Sequence, residues 1–300
     1  MKKHLWRGLL PLFAILCLAG CKDRQMSAEC KAILQLPPPA LFALETSSTV
    51  VGEDVREWTI SKFNPGHLPL VIDVSLDTSG LATAPLLQIE PGGRKVVFAG
   101  KRPTSVTSLQ LALPSIAFTR AMPAVGKPRP SVTLLFPVDP KVVTFSQTPR
   151  DGAGFMRSPS HTAERGGQSE AVDIDAPLGT LILAPADGVV AHAYDASPDV
   201  PCDFVSHSAY ANNLMLVTDD DVTLLLGHLF NESILVEAGT RVRRGQPIAR
   251  VGHSGSGDRA HLHLVAMALG PDGIDSIPIR FAACDGAAEV WTPRNGRPRC

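Results

Sequence analysis

Near its C-terminal end the chain reads Val242-Arg243-Arg244-Gly245-Gln246-Pro247-Ile248-Ala249-Arg250-Val251-Gly252, crosses a Gly/Ser loop, and reaches His261-Leu262-His263-Leu264. On a strand, residues two apart share a face, so His261 and His263 point to one side while Leu262 and Leu264 enter the opposite layer. Such a pair can put one imidazole on a metal ion and its neighbour beside the bound water. A lone His-x-His is weak evidence, so its meaning depends on what accompanies it.

Two upstream segments fit with it. Residues 176–190 read as a turn at Pro177-Leu178-Gly179, a strand through Leu181-Ile182-Leu183, a second turn at Pro185-Ala186-Asp187-Gly188, and a strand beginning Val189-Val190. Leu224-Leu225-Leu226-Gly227-His228-Leu229 sets a histidine at the end of a buried strand. Asp219-Asp220-Asp221 lacks the ordered ligand spacing of a calcium loop and reads as a hairpin turn. His192, His207 and His253 read as surface residues.

The run from Asp173 to Leu264 resembles the lysostaphin-type (LytM-like) zinc metallopeptidases, which cut peptide bonds in peptidoglycan. Tyr210-Ala211-Asn212 stands where that family has Tyr-Gly-Asn, with His228-Leu229, Gly245-Gln246 and the closing His-Leu-His following in the family's order. The resemblance implies an antiparallel β-sheet peptidase domain with Asp173 and His263 as zinc ligands and His228 and His261 handling protons and orienting the water. Zinc lowers the pKa of a bound water to roughly 7, which makes a hydroxide nucleophile available at neutral pH.

The chain departs from the family in three places. The family has a histidine four residues before the ligand Asp, and here that position is Ser169, a neutral hydroxyl and a poor substitute for imidazole. His161, upstream of a Gly-containing stretch, and Glu170 are the substitute ligands to consider. On an extended segment, however, Glu170 faces away from the side that Asp173 presents. Leu226 occupies a position where the family often has Tyr, removing a possible oxyanion donor. Arg259 replaces a glycine two residues before His261, where it could narrow the cleft or pair with an acidic group of a substrate.

At the other end, Lys2, Lys3 and Arg7 precede an apolar run from Leu9 to Leu18, the order of a secretory signal, and one too short to span a bilayer comfortably. Leu18-Ala19-Gly20-Cys21 resembles a bacterial lipobox, which implies cleavage before Cys21 and a lipid on its sulfur. Lys22, in place of an Asp, implies the outer membrane, with the protein facing the periplasm. Cys30, Cys202, Cys284 and Cys300 would then remain, an even number that favours disulfides in an oxidising compartment, with three pairings possible.

The chain has 300 residues, with 25 glycines and 26 prolines punctuating short hydrophobic stretches, and reads as mainly β throughout. Leu70, Ile72, Val74 and Leu76 alternate with Val71, Asp73 and Ser75, and Leu109, Leu111 and Leu113 repeat the pattern. Asn64-Pro65-Gly66 and Pro91-Gly92-Gly93 supply turns. This period of two suits an immunoglobulin-like β-sandwich. The expected order is a lipoprotein signal peptide over 1–20, a lipidated Cys and tether over 21–39, the sandwich over 40–147, the LytM-like domain over 148–284 and a tail over 285–300. His67, isolated beside prolines, reads as a loop residue.

A formal charge of -1 and a pI near 6.7 argue against electrostatic capture of nucleic acid. The expected activity is hydrolysis or binding of peptidoglycan peptide stems or cross-bridges, with a zinc cofactor. The alternative, raised by Ser169, is a catalytically impaired regulator that binds peptidoglycan or activates a cell-wall amidase.

Overall fold

The computed structural model describes residues 26–36, 43–64, 66, 68–73, 86–105, 121–123, 130–143, 170–200, 202, 210–255, 259–270, 273–282 and 290–291. The expected signal peptide, Cys21, His67, His161, Ser169, His207, Cys284 and Cys300 lie outside them. No helix among the described residues is long and apolar enough to cross a membrane.

The chain is mainly β with antiparallel sheets. Among the described residues a short helix, α1 (Ala28–Ile33), comes first. In the first half follow β1 (Ala43–Gly52), β2 (Val55–Phe63), β3 (Leu70–Asp73), β4 (Leu86–Ile89), β5 (Arg94–Pro103), β6 (Ala121–Pro123) and β7 (Val132–Leu134). They form two three-stranded antiparallel sheets, ordered β1-β2-β5 and β4-β3-β6, while β7 joins the second half. The alternating stretch at residue 70 does become β3, and residues 109–113 lie outside the described set. The expected turn at Pro91-Gly92-Gly93 forms beside Asn64, which is buried. Its side-chain Nδ2 donates to the carbonyls of Leu68 and Ile89, each at 2.9 Å, and its backbone exchanges hydrogen bonds with Gly92 and Gly93. Gly92, at φ +71°, takes a left-handed conformation that favours glycine.

The second half contains β8 (Val172–Asp175), β9 (Leu181–Leu183), β10 (Gly188–Tyr194), β11 (Asn213–Thr218), β12 (Thr223–Gly227), β13 (Arg241–Val242), β14 (Pro247–Arg250), β15 (His261–Gly270), β16 (Gly273–Ile277), β17 (Ile279–Ala282) and β18 (Val290–Trp291). A seven-stranded sheet runs β13-β10-β11-β12-β15-β16, with β8 also on β15. One edge of β15 is shared end to end: β8 covers 261–264 and β16 covers 266–270. The other edge pairs with β12. The two turns expected around Leu181–Leu183 flank β9 as read, and the three aspartates do form the β11–β12 hairpin turn, closed by Thr218 N–H to Val222 O at 2.9 Å.

Strand alternation sorts the side chains into two layers. Leu214, Leu216, Leu224, Leu226, Leu262, Leu264, Val172 and Ile174 enter the main core, and Met215, Val265, Met267 and Ile274 pack on the other face. Burying each of these leucines contributes about 1.5–3 kcal/mol, which makes β15 and its neighbours a stiff platform. β7 pairs in parallel with β17, and Val132, Leu134, Phe136, Val138 and Val143 lie in the same core, so the segment before the turn cluster at 148–152 packs with the second half.

Residues 26–36, expected as part of a tether, are docked instead. Ser27 Oγ caps α1 by accepting from Cys30 N–H at 3.1 Å. Cys30 is disulfide-bonded to Cys202. Ile33 packs beside that bond, and the Tyr210 hydroxyl donates to Leu34 O at 3.3 Å.

Candidate metal centre

The register between β8 and β15 sets Asp173 opposite His263 and Asp175 opposite His261. Strand alternation then puts all four side chains on the face away from Leu262 and Leu264. Asp173 Oδ1 lies 3.0 Å from His263 Nδ1 and 3.7 Å from His261 Nε2. All three residues are buried.

His228 directly follows β12, on the other side of β15, where Gly227 pairs with His263. Immediately after Gly227 the backbone turns left-handed, φ +57° at His228, a conformation that costs a non-glycine residue roughly 1–3 kcal/mol. That turn brings its ring to 4.6 Å from the His261 ring and 5.9 Å from the His263 ring. Its Nδ1 lies 2.7 Å from Ser254 O, so the proton sits on Nδ1 and Nε2 is left as the acceptor. Burial, followed by the neighbouring His261 and His263, pushes its pKa down to about 3, which keeps this imidazole neutral. His261 is held alike, with Nδ1 2.9 Å from Arg259 O and Nε2 turned toward Asp173.

Asn212 builds the wall behind His228. Its side-chain oxygen accepts from Ser197 N–H at 2.8 Å, and its Nδ2 donates to Ser197 O at 2.7 Å and Leu229 O at 3.1 Å. Its backbone N–H donates to Ser254 Oγ, which itself donates to Leu229 O. The Tyr210-Ala211-Asn212 motif therefore acts here through a buried polar network that joins Leu229, next to His228, to Ser254, whose carbonyl faces His228 Nδ1.

Asp173 and His263 supply two donors of the types that zinc takes, short of the three protein ligands of a catalytic site. Two ligand atoms each about 2 Å from a tetrahedral ion stand about 3.3 Å apart, close to the separation of Asp173 Oδ1 and His263 Nδ1. Among the described residues no group of three His, Cys, Asp or Glu could hold a metal ion, so Glu170 does not complete the set as a substitute ligand. Its backbone N–H instead donates to Ser276 Oγ on β16, where β8 gives way to β16 along β15. Ser169 and His161 lie outside the described residues.

Leu226 offers no oxyanion donor, as read, and the structure adds that it is buried in the main core. Other residues differ from their sequence reading. Arg259 pairs with a carboxylate of this chain, its Nε donating to Asp175 Oδ1 at 2.7 Å. Asp175 is pushed up by burial and pulled back by that guanidinium. The sequence reading passed over Asp175, although a spacing of two from Asp173 already placed both on one face. His192 is partly buried and its pKa is lowered by that burial, and His253 is also only partly exposed, with its backbone N–H donating to Asp199 Oδ1.

Residues 167–272 match the model of Peptidase family M23. No curated protein sequence matches the chain. Among solved structures, the catalytic domain of the antimicrobial peptidase lysostaphin from Staphylococcus simulans is 22% identical, over 37% of this chain and 77% of that one, with a TM-score of 0.29. A mutant catalytic domain of a prophage-encoded M23 protein from Enterococcus faecalis is 24% identical, over 36% and 74%, with a TM-score of 0.29. A zinc containing peptidase from Vibrio cholerae is 16% identical, over 74% and 55%, with a TM-score of 0.32. Asp173, His228, His261 and His263 all fall inside the matched span, and residues 167–272 of this chain form a Peptidase family M23 domain.

Proposed function

We propose that the chain is an exported lipoprotein of the bacterial cell envelope, anchored through Cys21 and facing the periplasm, whose M23 domain hydrolyses an amide bond in the peptide stems or cross-bridges of peptidoglycan. The observation that carries the catalytic part is the clustering of Asp173, His261 and His263 on two paired strands with His228 from the turn after β12, Asp173 Oδ1 lying within 3.7 Å of both strand histidines. Asp173 and His263 would hold zinc. The ion, when bound, supplies a water acidic enough to attack an amide at neutral pH and polarises the carbonyl.

This chain's own residues do the remaining work. His261, with Nδ1–H tied to Arg259 O, presents Nε2 to accept the proton of the attacking water and return it to the leaving amine. Neutral His228 presents Nε2 as an acceptor that orients the same water. Export and anchoring rest on the charged-then-apolar leader and on Leu18-Ala19-Gly20-Cys21.

Ser169 supports a second reading, in which the groove binds a stem peptide or activates a cell-wall amidase without cutting. Zinc content and peptidoglycan digestion by the chain from Lys22 onward, measured beside Ser169→His and His263→Ala variants, separate the two. Zinc and cleavage in the unmodified protein, lost in His263→Ala, support the peptidase. Cleavage seen only in Ser169→His overturns it in favour of the regulator. Palmitate labelling lost in Cys21→Ser tests the anchor.

A further inference from the structure

The N-terminal segment pins the connection between β10 and β11 at two points. Cys202 is bonded to Cys30, and Val200 and Tyr210 pack on the buried trio of Cys30, Ile33 and Cys202. The Tyr210 hydroxyl also donates to Leu34 O. Each pinned point adjoins a residue that grips the loops around His228. Next to Val200, Asp199 accepts from Asn231 N–H at Oδ2 and from His253 N–H at Oδ1, both at 2.6 Å. One carboxylate thus joins the loop after β12 to the loop after β14. Past Tyr210, Asn212 joins Leu229 to Ser254. Ala211, between them, lies against Gly255, where an added Cβ would stand 2.8 Å from Ala211 Cα. The Ser254 carbonyl in turn takes the Nδ1–H of His228. A left-handed residue that is not glycine persists only where its surroundings over-determine it. For His228 those surroundings are two loops held by the connection that α1 pins.

We infer that α1 and its crosslink form a clasp that positions His228, with Cys30, Ile33 and Tyr210 as positioning residues acting through Asp199, Asn212 and Ser254. Packed side chains and hydrogen bonds that run without a break can carry such a coupling. Cys30 and Ile33 precede the matched span 167–272, so an element outside the family domain completes its site. The part that His228 plays in catalysis rests on the peptidase reading, whereas the placement of its ring does not.

The test therefore reads placement, by NMR of metal-free, oxidised protein from Lys22 onward. An imidazole N–H held by a buried carbonyl exchanges slowly with water and gives a resolved resonance. That of His228 Nδ1–H is assigned by its absence in His228→Gln. It is expected in the unmodified protein, to be lost in the Cys30→Ser, Cys202→Ser double variant and to weaken in Ile33→Ala, which keeps the crosslink. The backbone amide signals of Leu216 and Leu264, in the middle of the sheet, should stay in place in both variants. An unchanged His228 signal in the double variant, or in Ile33→Ala should the double variant not fold, overturns the inference. So does a signal absent already in the unmodified protein, or a loss accompanied by displaced Leu216 and Leu264 amides, which marks a general loosening of the sheet. Cleavage is assayed separately on zinc-loaded protein. Its absence alongside a clasp-dependent His228 signal removes the peptidase reading and leaves the clasp.

Discussion

Asp173 on β8 and His263 on β15 are direct partners across the two strands, 90 residues apart in the chain, with Oδ1 and Nδ1 3.0 Å from each other. Each donor holds the other in position, so loss of either leaves a single anchor for a metal. His263→Ala and Asp173→Ala are each expected to lower zinc affinity by more than about 100-fold, beyond the loss typical of a residue that only supports a ligand. Competition titration against a chromogenic chelator measures it, and zinc retention unchanged in His263→Ala would place the ion elsewhere.

Asn212 joins Ser197, Leu229 and Ser254, and so holds the turn that presents His228. Asn212→Ala strands the Ser197 N–H and removes a buried network, which should cost about 2 kcal/mol or more in urea unfolding. Gly252→Ala attacks the same turn from the other side, since a Cβ there meets the backbone of Leu229 and Phe230. Both variants should lower activity out of proportion to their stability loss, because the displaced backbone carries His228. Wild-type stability in either one contradicts this account.

Acid should weaken the fold. Burial lowers the pKa of His192, and burial with two neighbouring histidines brings His228 from 6.5 to about 3. As the pH falls through 6.5 the unfolded chain protonates these residues while the folded chain resists. The unfolded state then binds more protons, so the stability is fully present above that pH and declines below it. For metal-free protein the urea midpoint should drop between about pH 7.5 and about pH 5, and drop less in His192→Gln. A midpoint that rises on acidification reverses the sign and refutes the argument.

The Cys30–Cys202 bond closes a loop of sequence separation 172 and ties α1 to the second half. On chain-entropy grounds a loop of this size stabilises by on the order of 5 kcal/mol. Thermal unfolding of the Cys30→Ser, Cys202→Ser double variant, or of the reduced protein, should show a clear fall in midpoint. An unchanged midpoint would mean that this crosslink does not constrain the unfolded chain.

How much of the site was legible depended on whether the governing interaction was local. His261 and His263 on one face, Leu262 and Leu264 on the other, and the aspartate hairpin at 219–221 follow from strand alternation and turn chemistry, which a short window contains. The order of the motifs carried the resemblance to the family whose model residues 167–272 match. Leu226 supplies no oxyanion donor, as read, but that its side chain enters the main core depends on the sheet's register, here set by pairing with Leu264. Arg259 found its partner within the chain because Asp175, 84 residues earlier, is brought beside it by the β8–β15 pairing.

The amino-acid sequence by itself determined the mainly β character and the shared face of His261 and His263, because residue chemistry and a period of two are written along the chain. Tertiary structure alone decided that Asp173 meets His263, that His228 reaches them through a left-handed turn, that Cys30 pairs with Cys202, and that residues 132–143 join the second core. Each of these joins segments distant in sequence, and such contacts are chosen by packing of the whole sheet, where a shift of one residue would exchange the histidine face for the leucine face.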